Sequence, residues 1–129
     1  MSSHPIVHVE LPSENPEAAA KFYEEVFGWK LTHDQEFSYW MFDAEGGPGG
    51  GFTSPGPYDG HGSAEGYQIG KPLVYLKSED IDADLARVEA AGGRIIMPSM
   101  AIGEMGAMAV FADPSGNHLG FYKYPTPAA

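Results

Sequence analysis

The chain has 129 residues, enough for one domain with its own core, and 18 acidic residues against 7 basic ones give it a net charge of −11. That balance speaks against nucleic acid and anionic membrane as partners. No apolar run approaches the roughly 18 residues of a membrane span, and the lack of cysteine excludes disulfides, thiolate metal sites and a cysteine nucleophile.

The opening MSSHPIVHVELP lacks the basic start and long apolar core of a secretory signal, so a cytoplasmic location is expected. IVHVEL (6–11) alternates, with Val7, Val9 and Leu11 on one face and Ile6, His8 and Glu10 on the other. Asn15 reads as an N-cap followed by Pro16 at the first helical position. Ala18, Phe22 and Val26, with Tyr23 and Phe27 beside them, predict the buried stripe of a helix that Gly28 stops. Strands are predicted at WKLTHD (29–34), SYWMFD (38–43) and GGGFTS (49–54). Residues 53–70 are rich in glycine and proline. They read as a connection, with the linker proper at about 55–70, or as a mobile cover.

The pattern then repeats. LVYLKS (73–78) alternates, Asp80 is the N-cap, Ile81, Leu85 and Val88 form the stripe, and Gly92-Gly93 stops the helix. Strands follow at RIIMPS (94–99), AMAVFAD (107–113) and NHLGFYKY (117–124), and the tail PTPAA is expected to fray. At an offset of 65, seven of the twenty positions from Val9 to Gly28 are identical: Val9/Val74, Leu11/Leu76, Ser13/Ser78, Glu14/Glu79, Ala18/Ala83, Glu24/Glu89 and Gly28/Gly93. The turn Asp43–Gly46 mirrors Asp113–Gly116 at an offset of 70. Internal duplication is the economical reading. The expected fold is α+β, with two tandem βαβββ modules at about 4–54 and 71–124. Their strands would form a curved mixed sheet, a half-barrel with helices on its convex side. His8, Glu10, Leu73, Tyr75, His118, Gly120 and Tyr122 would then face the concave side.

HVELPSENPEAAAKFYEEVFGWK, ARVEAAGGRI and FADPSGNHLGFY together resemble the glyoxalase/bleomycin resistance/dioxygenase group, the vicinal oxygen chelate superfamily. The resemblance covers nearly the whole chain and implies a pocket on the paired modules, often completed across a homodimer. In metal-dependent members the first and last strands of each module supply ligands to one ion. Carried over, the first-strand histidine falls on His8 and its second-module counterpart on Leu73. The last-strand ligand falls on Gly120, and the offset of 70 puts its counterpart on Gly50. These places read His, Leu, Gly and Gly, and neither leucine nor glycine offers a donor to a divalent ion. On this reading Gly120 is a vacated ligand position that leaves room on the pocket floor, or it relieves crowding between strands.

His8, Glu10 and His118 are readable as a hydrogen-bonded polar cluster, as ligand contacts or an acid–base pair, or as a two-histidine, one-carboxylate metal set. Tyr39, Trp40, Tyr75 and Tyr122 read as pocket walls or as core aromatics, and the face assignment over 37–43 is ambiguous. His4, His33 and His61 read as solvent histidines. The leading expectation is a protein that binds a small organic molecule between its modules. It would need no cofactor, pair as a homodimer, and sequester its ligand as the drug-binding branch does. The rival is a lyase, isomerase or dioxygenase using a divalent ion held by His8, Glu10 and His118.

Overall fold

A computed structural model describes residues 3–60 and 65–126. His61, expected in solvent, and the last three residues of the tail, expected to fray, lie outside the described residues. The chain is α+β and divides into two compact units. One takes in Val7–Leu73; the other takes in Val74 onward together with the segment before Val7. Among the described residues no helix is long and apolar enough to cross a membrane.

The first unit is β1 (Ile6–Pro12), α1 (Pro16–Phe27), β2 (Lys30–Asp34), β3 (Tyr39–Asp43) and β4 (Gly49–Thr53). Its strands lie in the order β2-β3-β4-β1, with β1 parallel to β4 and the other pairs antiparallel. The Asn15 side chain accepts from Ala18 N at 3.1 Å, and Gly28 takes the left-handed conformation that ends α1. Val9 and Leu11 pack with Ala20, Phe42 and Phe52, as the alternation of β1 requires.

The buried stripe of α1 differs from the expected one. Phe22, Val26 and Phe27 are each more than half exposed, and Ala18 is exposed. The helix docks instead through Ala19, Ala20 and Tyr23. Two alanines let its backbone approach the sheet closely, and Tyr23 stacks on Trp29 at 4.8 Å, which in turn stacks on Phe42 at 4.3 Å. The connection is not structureless either. β5 (Gly56–Pro57) pairs with β6 (Gly66–Tyr67), and the buried Tyr58 meets Tyr67 edge-on at 4.9 Å. Burial, with Glu65 nearby, pushes the Tyr58 hydroxyl above its usual range.

The second unit repeats the plan: β7 (Leu73–Lys77), α2 (Ile81–Ala90), β8 (Arg94–Ala101), β9 (Ala107–Ala112) and β10 (His118–Lys123). The order β7-β10-β9-β8, with β7 parallel to β10, matches the first unit strand for strand. Asp80 caps α2 through Ala83 N, and Ile81, Leu85 and Val88 pack against Ala109, Phe111, Leu119 and Phe121 as expected. The turn into β10 is held by Asp113. Its side chain accepts from the backbone of Ser115 and Asn117 and from the Asn117 amide.

His4 is not a solvent histidine. Its Nε2 lies 2.9 Å from Asp84 Oδ2, which also accepts from Ser78 Oγ at 2.6 Å, and Arg87 donates to the other oxygen. Lys77 N donates to Pro5 O, so His4 and Pro5, expected in the first module, are fastened to the second unit. Burial pushes the Asp84 carboxyl up, but the Ser78 and His4 hydrogen bonds and the His4 and Arg87 charges outweigh it and hold the group below its usual range. A lowered folded-state value means that this stabilisation is full above the ordinary carboxylate range. It is lost as pH falls through the lowered value. Asp84→Asn should cost about 1–3 kcal/mol at neutral pH, and its urea midpoint should converge with that of the natural chain as pH falls through the lowered value. Parallel pH curves would contradict this account of Asp84.

Candidate functional site

Register places the site residues. His8 pairs with Gly49 and Glu10 with Gly51 between β1 and β4, and Met41 pairs with Gly51 between β3 and β4. With Val9 and Leu11 committed to the helix side, His8, Glu10, Tyr39 and Met41 share the opposite face with Gly49 and Gly51. A Cβ on Gly51 would stand 1.8 Å from the Tyr39 hydroxyl and 2.1 Å from its ring. Glycine at 51 is therefore what lets the Tyr39 ring lie across β4 toward Glu10.

Three polar groups meet there. The Tyr39 hydroxyl donates to Glu10 Oε1. His8 Nε2 is 2.7 Å from the same oxygen and 3.0 Å from the Tyr39 oxygen. The single phenolic proton is spent on Glu10, so both oxygens near His8 Nε2 can only accept, and Nε2 must carry the proton. Glu10 is 7% exposed, and its Oε2 is buried with no hydrogen-bond partner. His8 keeps about a quarter of its side chain in solvent, at 26%. Both donors thus converge on one oxygen of a buried carboxyl.

On the second unit, the helix-side packing of Leu119 and Phe121 turns His118, Gly120 and Tyr122 to the other face of β10, beside Tyr75 on β7. Gly120 does not leave an open floor. A Cβ there would stand 2.3 Å from the Tyr75 ring, and Tyr75 and Leu73 are both buried. The room next to Gly120 belongs to Tyr75. The Tyr122 hydroxyl donates to Met105 O, and burial, with Tyr124 nearby, pushes it above its usual range. A surface groove of about 540 Å³ lined by Glu104, Lys123 and Tyr124 holds none of these side chains.

Two of the candidate residues fall on the wrong face. Gly50 points into the core, where a Cβ would meet Val9 O at 1.9 Å and the Phe42 ring at 2.6 Å. The ladders explain the slip. Gly120 pairs with Tyr75 and Gly51 with Glu10, and Tyr75 and Glu10 are 65 apart, so the counterpart of Gly120 is Gly51. The turn offset of 70 drops to 69 past the turn, and one residue of slip reverses a strand's faces. Trp40 likewise packs on the helix-side core, with His33 over its ring at 4.7 Å.

With the register corrected, the places that the resemblance implies for ligands carry His8 and Gly51 on β1 and β4, and Leu73 and Gly120 on β7 and β10. Three of these four side chains offer no donor to a divalent ion. At Gly51 and Gly120 a tyrosine ring stands where a ligand side chain would project. Among the described residues no three of His, Asp and Glu are grouped to hold a metal.

Filling those spaces should be costly. Gly51→Ala and Gly120→Ala should each destabilise by about 1–3 kcal/mol in urea unfolding. Gly47→Ala, where the nearest atom to a Cβ is 3.9 Å away, should be close to neutral. Equal, small effects at all three would mean the tyrosine rings are not seated as described.

Comparison with known proteins agrees with this architecture. The family model described as the Glyoxalase/Bleomycin resistance protein/Dioxygenase superfamily matches residues 5–121. "Putative glyoxylase CFP32" of Mycobacterium tuberculosis is 30% identical over 125 residues, covering 89% of this chain and 44% of that protein. "Anthracycline biosynthesis protein DnrV" of Streptomyces peucetius is 35% identical over 127 residues, covering 83% of this chain and 42% of that protein. The chain spans less than half the length of these relatives. Methylmalonyl-CoA epimerase from Mycobacterium tuberculosis has the same fold at 15% identity, with a TM-score of 0.68 over 98% of this chain and 93% of that one. The doubled βαβββ plan and the match over both units make the chain a member of the glyoxalase/bleomycin resistance protein/dioxygenase superfamily.

Proposed function

We propose that this chain binds a small organic molecule on the face carrying His8, Glu10 and Tyr39, and that it does so without a divalent ion at the superfamily's ligand places. The observation that carries the reading is the Tyr39–Glu10–His8 group, with its carboxyl buried and its two partners partly exposed. A polar cluster is expensive to keep on a sheet face unless its groups have a task or a partner. Here the usual task, holding a metal, lacks its donors. Sequestration of the ligand is the simplest activity such a face supports. A location in the cytoplasm suits a chain without cysteine.

The same group favours one other reading, proton transfer to or from the bound molecule. Glu10 and His8 are in direct hydrogen-bond contact at 2.7 Å, the distance across which an acid–base pair works. That activity would make the chain a lyase or isomerase.

A thermal-shift screen tests the reading. The probes are nickel and zinc salts, antibiotics, methylglyoxal–thiol adducts and catechols. An organic probe at 100 times its dissociation constant should stabilise by about 2.7 kcal/mol, and His8→Ala should abolish that shift in a chain that still folds, with a lower unliganded melting temperature because Glu10 loses a donor. The metals should produce little. A chelator-reversible rise of several degrees with stoichiometric metal would overturn the reading.

Assembly belongs to the same proposal. β2 and β8 end their units' strand orders, and exposed edges are usually paired or covered. We expect a twofold homodimer, with a light-scattering mass twice the 13.8 kDa of the chain at micromolar concentration. A monomeric mass would contradict it.

A further inference from the structure

We infer that the molecule bound on this face presents a cationic N–H donor to Glu10, and that Tyr39 is an internal stand-in which this donor displaces. The inference rests on the binding reading above and names the chemistry of its ligand.

An ionised carboxylate offers about four acceptor sites on two oxygens. Glu10 has two donors, and both sit on Oε1, while the buried Oε2 has none. Its ion-pair partner among the described residues is His8, with no lysine or arginine in reach. The carboxyl is thus short of both hydrogen-bond donors and positive charge. An ammonium or amidinium group supplies both at once, and such charge-assisted bonds are about twice as strong as neutral ones. A carboxylate or carbonyl ligand would supply neither. The chain's net charge of −11 draws cations toward the face before contact.

Access follows from the exposure of the neighbours. Glu10 is covered by its partners, and both His8 and Tyr39 keep part of their surface in solvent. The Tyr39 ring lies across Gly51, the residue paired with Glu10. When the ring leaves, it uncovers a strip of backbone without a side chain directly beside the carboxyl. A ligand with one flat ring and a short cationic arm fits the space that a phenol ring and its hydroxyl vacate.

Displacement gives the two partners opposite signs, which a plain contact would not. The full chain is titrated with benzylamine, which is cationic at pH 7, with benzyl alcohol and with benzoate, following the ring signals of Tyr39 and His8 by NMR. Benzylammonium should bind at least about tenfold more tightly than the other two. Glu10→Gln should bring the three within about threefold, and Tyr39→Phe, which removes the competitor but keeps the ring, should tighten benzylammonium about threefold or more. If benzyl alcohol or benzoate binds the same signals as tightly, the cation inference fails and the binding reading stands. Should Tyr39→Phe weaken binding, Tyr39 is a contact and displacement is wrong. If none of the probes moves these signals, the binding reading fails and takes the inference with it. Were Glu10→Gln not to fold, the charge series on the natural chain and on Tyr39→Phe would still decide.

Discussion

A carboxyl group taken out of water needs its lone pairs answered by donors, and Glu10 meets that need on one side only. Tyr39 and His8 both serve Oε1, and nothing serves Oε2. Everything distinctive about the first unit bends to this arrangement. β1 must place Val9 and Leu11 in the core so that Glu10 lies on the other face. β4 must be glycine at 51 so that the Tyr39 ring can cross it. β3 must carry Phe42 inward so that Tyr39 points outward. The site is thus a product of strand parity, and a single residue of slip in any of these strands would dismantle it.

The second unit shows the same architecture put to a different use. Gly120 admits the Tyr75 ring as Gly51 admits Tyr39, at equivalent places in the two ladders. Where the first unit has Glu10, the second has Tyr75 itself, so the duplicated position carries a carboxyl in one unit and a buried ring in the other. In the second unit, the buried polar residues Asp84 and Ser78 are engaged in fastening the segment at His4.

Much of this was legible in the sequence. Alternation in 6–11 and 73–78 fixed which side chains face the helices, and the 65-residue repeat announced the doubled βαβββ plan. Caps at Asn15 and Asp80 marked the helix starts. What stayed hidden has physical causes. In α1 the bulky residues outweigh the alanines in any hydrophobic pattern, yet close packing selects Ala19 and Ala20, and Phe22 and Val26 stay outside. Residues 37–43 are apolar or aromatic on both faces, so nothing separated Tyr39 from Trp40. The two turns mirror each other at 70, but the strands beyond them pair at 69, so the turn signal pointed to Gly50 in place of Gly51. His4 gave no signal, because its partner Asp84 is 80 residues away.

The site stands on the bond between Tyr39 and Glu10. A double-mutant cycle with Tyr39→Phe and Glu10→Gln, read by urea unfolding at neutral pH, measures it most directly. Groups that share one buried hydrogen-bond network should couple, so the effects of the two substitutions should depart from additivity by about 1 kcal/mol or more. Additive effects, within about 0.3 kcal/mol, would mean that Tyr39 does not hold the Glu10 carboxyl and that the site is not built as described.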